Sequence, residues 1–300
     1  MVQRYVLTSS PKNLRDLELF STGSAPISKR AQDRGNGQGL DKDDFRRLES
    51  MIDFVRSHET IGALTAVLPP GTPNLVVQTL DRHCRFLHGA LLVFPADLDA
   101  AVGGLPDFGV TPAATAPSVV VRNRVAGRLG VPARSIDVRI VQCAVPGTGG
   151  APREVELFLL PTHGSPTFHE VIEDERGHNR ETHFAFGLRS ADEVIMGGVH
   201  GLLTERGGMV CDGGGYNAHL DVTVLYFRDD GDRPGTRAHH EAMPWPRRIE
   251  LMVDGHHPGI LRTHLNRTTT EPRPLRRLRT RTVPPGRCST YSPGHGSPRR

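Results

Sequence analysis

Several things are scarce in this 300-residue chain. Aromatic residues make up 5% of it, with a single Trp, although the hydrophobic fraction of 37% is ordinary. No apolar run approaches the length needed to cross a bilayer, so no membrane-spanning helix is expected. The first twenty residues, MVQRYVLTSSPKNLRDLELF, hold no apolar core bounded by a cleavage site, and no secretory leader is expected there. The four cysteines (Cys84, Cys143, Cys211 and Cys288) share no metal or redox spacing. That excludes a motif of the paired-cysteine kind and points to free thiols in a reducing cytoplasm. Acidic residues are almost missing from residues 261–300, which carry ten Arg against Glu271 alone. The tail thus holds +9 of a net +4, leaving −5 on the first 260 residues.

What is present is turn-rich, with 33 Gly and 24 Pro. Residues 1–39 are polar and Gly/Ser-rich, which predicts a disordered or loosely attached segment. Residues 41–57 predict an amphipathic helix, with Phe45, Leu48, Ile52 and Val55 on one stripe and Asp41, Asp43 and Asp44 at its positive end. Residues 74–80, NLVVQTL, read as a strand. From residue 86 a pattern is written twice. HGALLVF (88–94) reads as a strand, 118–132 as a helix, and 135–145 and 153–161 as strands. Then 182–188 reads as a strand and 190–208 as a helix opened by a capping box of Ser190 and Glu193. The segments 221–227 and 247–253 are again strands, and GGGYN at 213–217 reads as a hairpin turn. The closings VELFLL and IELMV correspond, as do the openings HGALLVF and HFAFGL, so the chain contains an internal duplication.

Strand alternation sets His183 on the face opposite Phe184 and Phe186, and Glu250 on the face opposite Ile249 and Leu251. Two imidazoles and one carboxylate on one face, with open positions opposite, suit a divalent metal such as non-haem iron. His183 and Glu250 are two of the set. His88 is the third, with His83 as its competitor.

The duplication resembles the paired βαβββ modules of the vicinal oxygen chelate superfamily, which includes glyoxalase I, bleomycin-resistance proteins and type I extradiol dioxygenases. The second module is most similar to the extradiol branch: Asn217-Ala-His219, five residues, Leu225-Tyr226, then Asp229, with His169 fourteen residues before His183. An insertion, RPGTRAHHEAMPWP, lengthens the gap before Glu250.

The resemblance implies an α+β fold of two tandem βαβββ modules, forming a curled mixed sheet around a metal site. The segments implied are an N-terminal extension with one amphipathic helix (1–84), modules at 85–164 and 165–260, and a disordered Arg/Pro-rich tail (261–300). It implies Fe(II), with Mn(II) as the alternative, held by His88, His183 and Glu250. It further implies His169 as acid–base, His219 as partner to dioxygen and Tyr226 as donor to a substrate oxygen. The activity implied is extradiol ring cleavage of a small catechol-like aromatic by O₂, in the cytoplasm and away from membranes. A metal-free ligand-binding or drug-resistance protein of the same fold is the alternative, as is a metal-dependent lyase or isomerase. No nucleic-acid recognition fold adjoins the basic tail, so nucleic acid is not an expected partner. The oligomeric state stays open, a homo-oligomer included.

Overall fold

Every other residue of a strand faces the same way, and in the computed structural model that alternation divides one large sheet into a helix-covered face and a site face. The structure describes residues 39–162, 168–229 and 245–268. The polar N-terminal stretch, most of the insertion with His239 and His240, and the tail from 269 onward lie outside the described residues.

Three helices come first: α1 (Lys42–Ser57), α2 (Thr60–Val67) and α3 (Asn74–His83). Then follow β1 (Cys84–Val93), α4 (Leu98–Gly104), the two-residue strands β2 (Thr111–Pro112) and β3 (Ala116–Pro117), α5 (Val119–Leu129), β4 (Arg139–Pro146) and β5 (Pro152–Leu159). The second half runs α6 (His169–His178), β6 (His183–Leu188), α7 (Glu193–Gly201), β7 (Met209–Asn217), β8 (Val222–Asp229), β9 (Arg248–Asp254) and α8 (Pro258–Asn266).

The nine strands form one sheet in the order β2-β4-β5-β1-β6-β9-β8-β7, with β3 also paired to β4. Its two halves repeat each other. β1 runs parallel to β5 and β5 antiparallel to β4, while β6 runs parallel to β9 and β9 antiparallel to β8. β1 and β6 meet antiparallel at the centre. The expected α+β class with a mixed sheet of two modules is therefore what the chain adopts. The β7 equivalent in the first half is reduced to β2 and β3, and α5 follows these fragments. By order along the chain, α4 rather than α5 answers to α7.

The helix face carries the core. Leu48, Met51, Ile52 and Val55 of α1, Leu64 and Val67 of α2, and Leu80 of α3 are buried with Phe86, Leu91, Phe184, Phe186, Leu225, Phe227 and Leu251 of the sheet. Phe54 packs on Phe184 at 4.6 Å between ring centroids. α1 is fixed by Asp44, fully buried, whose carboxylate accepts from the Phe94 backbone N–H (3.1 Å) and from Arg47 (2.8 Å) and Arg176 (2.8 Å).

Four local expectations change. Residues 74–80 form a helix because Val76, Val77 and Leu80 then share one buried stripe, a tertiary demand that overrides their β-branched character. The cap of α7 is Asp192, accepting from the N–H groups of Val194 and Ile195, with Ser190 two residues outside. Residues 213–217 belong to strand β7, paired with β8. The expected disordered tail begins with an ordered helix, because α8 buries His264 completely.

Candidate metal centre

A bulge decides which histidine enters the site. The β1–β6 pairing slips between Phe86 and His88, so Phe86 and Gly89 both face the helices while His88 turns to the opposite face. Without that slip, strict alternation would put Phe86 and His88 on one side. His83 closes α3, and His88 joins the site.

Along the site face the register is continuous. His88 lies opposite Ala185, Ala185 opposite Glu250, and Glu250 opposite Tyr226. One residue pair along, His183 lies opposite Ala90 and Ala90 opposite Glu156. The donor atoms of His88, His183 and Glu250 all lie within 4.8 Å of one another, and all three residues are buried. His183 Nε2 is 2.7 Å from Glu250 Oε2, and His88 Nε2 is 3.7 Å from the same oxygen. Neither contact has hydrogen-bond geometry, so both Nε2 atoms are buried without a hydrogen-bond partner. His183 Nδ1 donates to the Glu181 carbonyl at 2.9 Å. That bond fixes the tautomer and leaves the Nε2 lone pair free for an ion.

The electrostatics agree with a cation. Burial opposes charge on His88, yet the carboxylates of Glu250, Glu156 and Glu154 push it up to about 9. Burial alone would raise Glu250, but His183 and His88 hold it well below the usual carboxylate range. Two imidazoles, His88 once its proton is displaced, and a carboxylate supply the donor set that divalent first-row metals take, and both orphaned Nε2 atoms belong to that cluster.

Tyr226 stands directly across from Glu250, its ring 5.6 Å from that of His183. Burial and the Glu250 carboxylate hold its phenol protonated, far above the ordinary value. The guanidinium groups of Arg124 and Arg248 lie 4.8 and 5.3 Å from the ring centroid. Arg124 is anchored by Glu181 at 3.3 Å and Arg248 by Asp212 at 2.8 Å.

The other sequence-predicted residues are elsewhere. His169 opens α6 with its side chain 71% exposed, 3.5 Å from Glu173. It lines a separate cleft of about 540 Å³ with Asp41, Phe94 and Arg176. His219 is exposed in the turn between β7 and β8, where its backbone N–H donates to Asn217 Oδ1 (3.0 Å).

Glu156 was missed. It occupies in β5 the place that Glu250 occupies in β9, each opposite the alanine two residues after a site histidine. Burial raises its carboxyl, His88 lowers it and Glu250 raises it again. The signal was present in the match of VELFLL with IELMV, which aligns the two glutamates.

No protein-family model and no curated protein matches this sequence. Among solved structures, methylmalonyl-CoA epimerase is 15% identical, over 57% of this chain and 95% of its own, with a TM-score of 0.31. Hydroxyglutarate synthase from Oryza sativa is 13% identical, over 79% and 88%, with a TM-score of 0.37. A glyoxalase I variant from Zea mays is 12% identical, over 55% and 44%, with a TM-score of 0.16. Likenesses this slight decide nothing about activity or substrate. Among the described residues no helix is long and apolar enough to cross a membrane.

Proposed function

We propose that this protein is a metal-dependent enzyme that moves a proton at carbon in a small substrate chelating through two neighbouring oxygens, an isomerase or lyase. His88, His183 and Glu250 hold the divalent cation. When bound, the cation withdraws electron density from the substrate oxygens and so acidifies the adjacent C–H.

The observation that carries the proposal is the position of Glu156, the repeat equivalent of Glu250, on the site face beside the triad. Its carboxylate removes the proton: the C–H bond breaks, and its electron pair delocalises onto the neighbouring carbonyl oxygen. The proton rests on Glu156 and returns to carbon. Tyr226, held protonated, donates a hydrogen bond to a substrate oxygen as negative charge gathers there. Arg124 and Arg248 lie against the Tyr226 ring, each paired with a carboxylate, and so hold the phenol in place.

Extradiol ring cleavage is the second reading. It rests on the His–His–Glu set itself, the arrangement non-haem Fe(II) oxygenases use. His219 and His169, expected to serve O₂ and the acid–base step, are exposed, whereas the triad is buried, which gives this reading less support.

The test is to incubate protein reconstituted with Mn(II), Co(II), Ni(II), Zn(II) or Fe(II) with a panel of 2-oxo acids, 2-hydroxyketones and catechols. Deuterium exchange at carbon would be read by NMR and O₂ consumption by electrode. The proposal expects exchange that falls ~10²–10⁴-fold in Glu156→Gln, the scale of general acid–base catalysis, with metal content kept. Oxygen uptake with catechols and no exchange would establish the second reading instead.

A further inference from the structure

On the opposite face of β8 lies a second convergence of ligating side chains. Tyr226 faces the triad, and its neighbour Phe227 faces the helices, with its ring 5.5 Å from that of His200 and 4.8 Å from that of His264. Around it His200 comes from α7, Cys211 from β7 and His264 from α8, each 3% exposed or less. Their donor atoms all lie within 4.8 Å of one another. Separations of 11 and 53 residues along the chain match no ligand motif.

We propose that His200, Cys211 and His264 form a second metal site, with three protein ligands, that takes a thiophilic cation such as Zn(II). Distances support it. His200 Nε2 is 3.2 Å from His264 Nδ1 and 3.7 Å from Cys211 Sγ. Tetrahedral zinc, with Zn–N near 2.0–2.1 Å and Zn–S near 2.3 Å, sets N···N at about 3.3 Å and N···S at about 3.6 Å.

The backbone is shaped to hold these ligands. The β7–β8 pairing slips between Cys211 and Gly214, where Gly213 takes a φ of +96°, a value suited to glycine. The slip frees the Gly213 carbonyl, which accepts from His264 Nε2 at 2.9 Å. That bond sets the His264 tautomer and leaves the Nδ1 lone pair facing His200 and Cys211. Directly after His200, α7 widens into a π-helical turn, Leu202–Arg206, a distortion often found at functional positions. An ion here ties α7, β7 and α8 together and closes the second module. Binding displaces the thiol proton of Cys211, and the metal–sulfur bond replaces the S–H bond.

The competing account is a metal-free hydrogen-bonded cluster of the same three side chains. Cobalt(II) distinguishes them, and also separates this site from the triad, which has no sulfur. Thiolate-to-cobalt charge transfer absorbs in the near ultraviolet, whereas cobalt bound by imidazole and carboxylate does not. Reduced apoprotein of the full chain would be titrated with CoCl₂ under nitrogen. The proposal expects a near-ultraviolet band that saturates at one equivalent for this site, survives His183→Ala, and drops at least ~10-fold in Cys211→Ser. Zn(II) in place of cobalt should raise the melting temperature of wild type more than that of Cys211→Ser. Should Cys211→Ser fail to fold, His264→Gln replaces it, with the same loss expected. A titration without the band, or a band that persists in Cys211→Ser, leaves a hydrogen-bonded cluster only and overturns the proposal.

Discussion

His183 Nε2 lies 2.7 Å from Glu250 Oε2, yet the two make no hydrogen bond. A buried imidazole and carboxylate held this close are normally aligned, because leaving either polar group without a partner costs about 1–3 kcal/mol. Here both share one buried cluster with His88, whose Nε2 is 3.7 Å from the same oxygen, all donor atoms lying within 4.8 Å of one another. A cation bound by the cluster satisfies all of them.

Glu250→Gln is the first consequence. It keeps the side chain's shape and removes its charge, so metal affinity should fall at least ~10-fold, while the fold remains cooperative. Competition with a chromophoric chelator reads the affinity. Unchanged affinity would remove Glu250 from the ligand set.

His169→Gln and His219→Gln should leave both metal content and turnover at wild-type levels. His169 is 71% exposed beside Glu173, and His219 lies in the β7–β8 turn. A rate loss of ~10²-fold in the first would return an acid–base role to His169 and with it the ring-cleavage reading.

The halves of the fold were legible because the duplication repeats both openings and closings, so the strands around His183 and Glu250 could be assigned from alternation alone. Three features were not. The bulge before His88 leaves no mark in the sequence, and strict alternation would place His88 with Phe86. Residues 74–80 carry β-branched side chains but fold as a helix, since only burial in the finished core decides between the two. His200, Cys211 and His264 meet through packing of α7, β7 and α8, contacts that chain spacing does not encode. Glu156 was legible through the repeat, as the partner of Glu250.

Asp44→Ala should lower stability by about 3–5 kcal/mol, the cost of leaving buried charges without their partner. The carboxylate serves Arg47, Arg176 and the Phe94 N–H at once and is fully buried. Urea unfolding gives the value; a loss under 1 kcal/mol would show that the arginines find water instead.

Acid should destabilise the protein through the cluster joining α5 and α6. Burial would raise Asp174, but Arg180, His178 and Arg128 hold its carboxyl below the model-compound value of 3.8. Glu181, opposed by burial, is likewise held below 4.5 by Arg124, Arg128 and Arg248. A carboxyl with a depressed folded pKa binds its proton more readily when unfolded, so its contribution is present above the unfolded pKa and lost as pH falls through the folded one. The melting temperature should therefore drop steeply below about pH 4.5. Asp174→Asn should flatten that drop, and an unaltered slope would assign it to other groups.

The most direct test of the metal centre is the metal content of the folded protein, measured by inductively coupled plasma mass spectrometry in a Cys211→Ser background that removes the thiolate of the second site. After loading with a divalent first-row metal and desalting, one ion per chain is predicted, falling below a tenth of that in His183→Ala. An empty parent, or a His183→Ala protein that retains its ion, would contradict the assignment of His88, His183 and Glu250 as a metal centre.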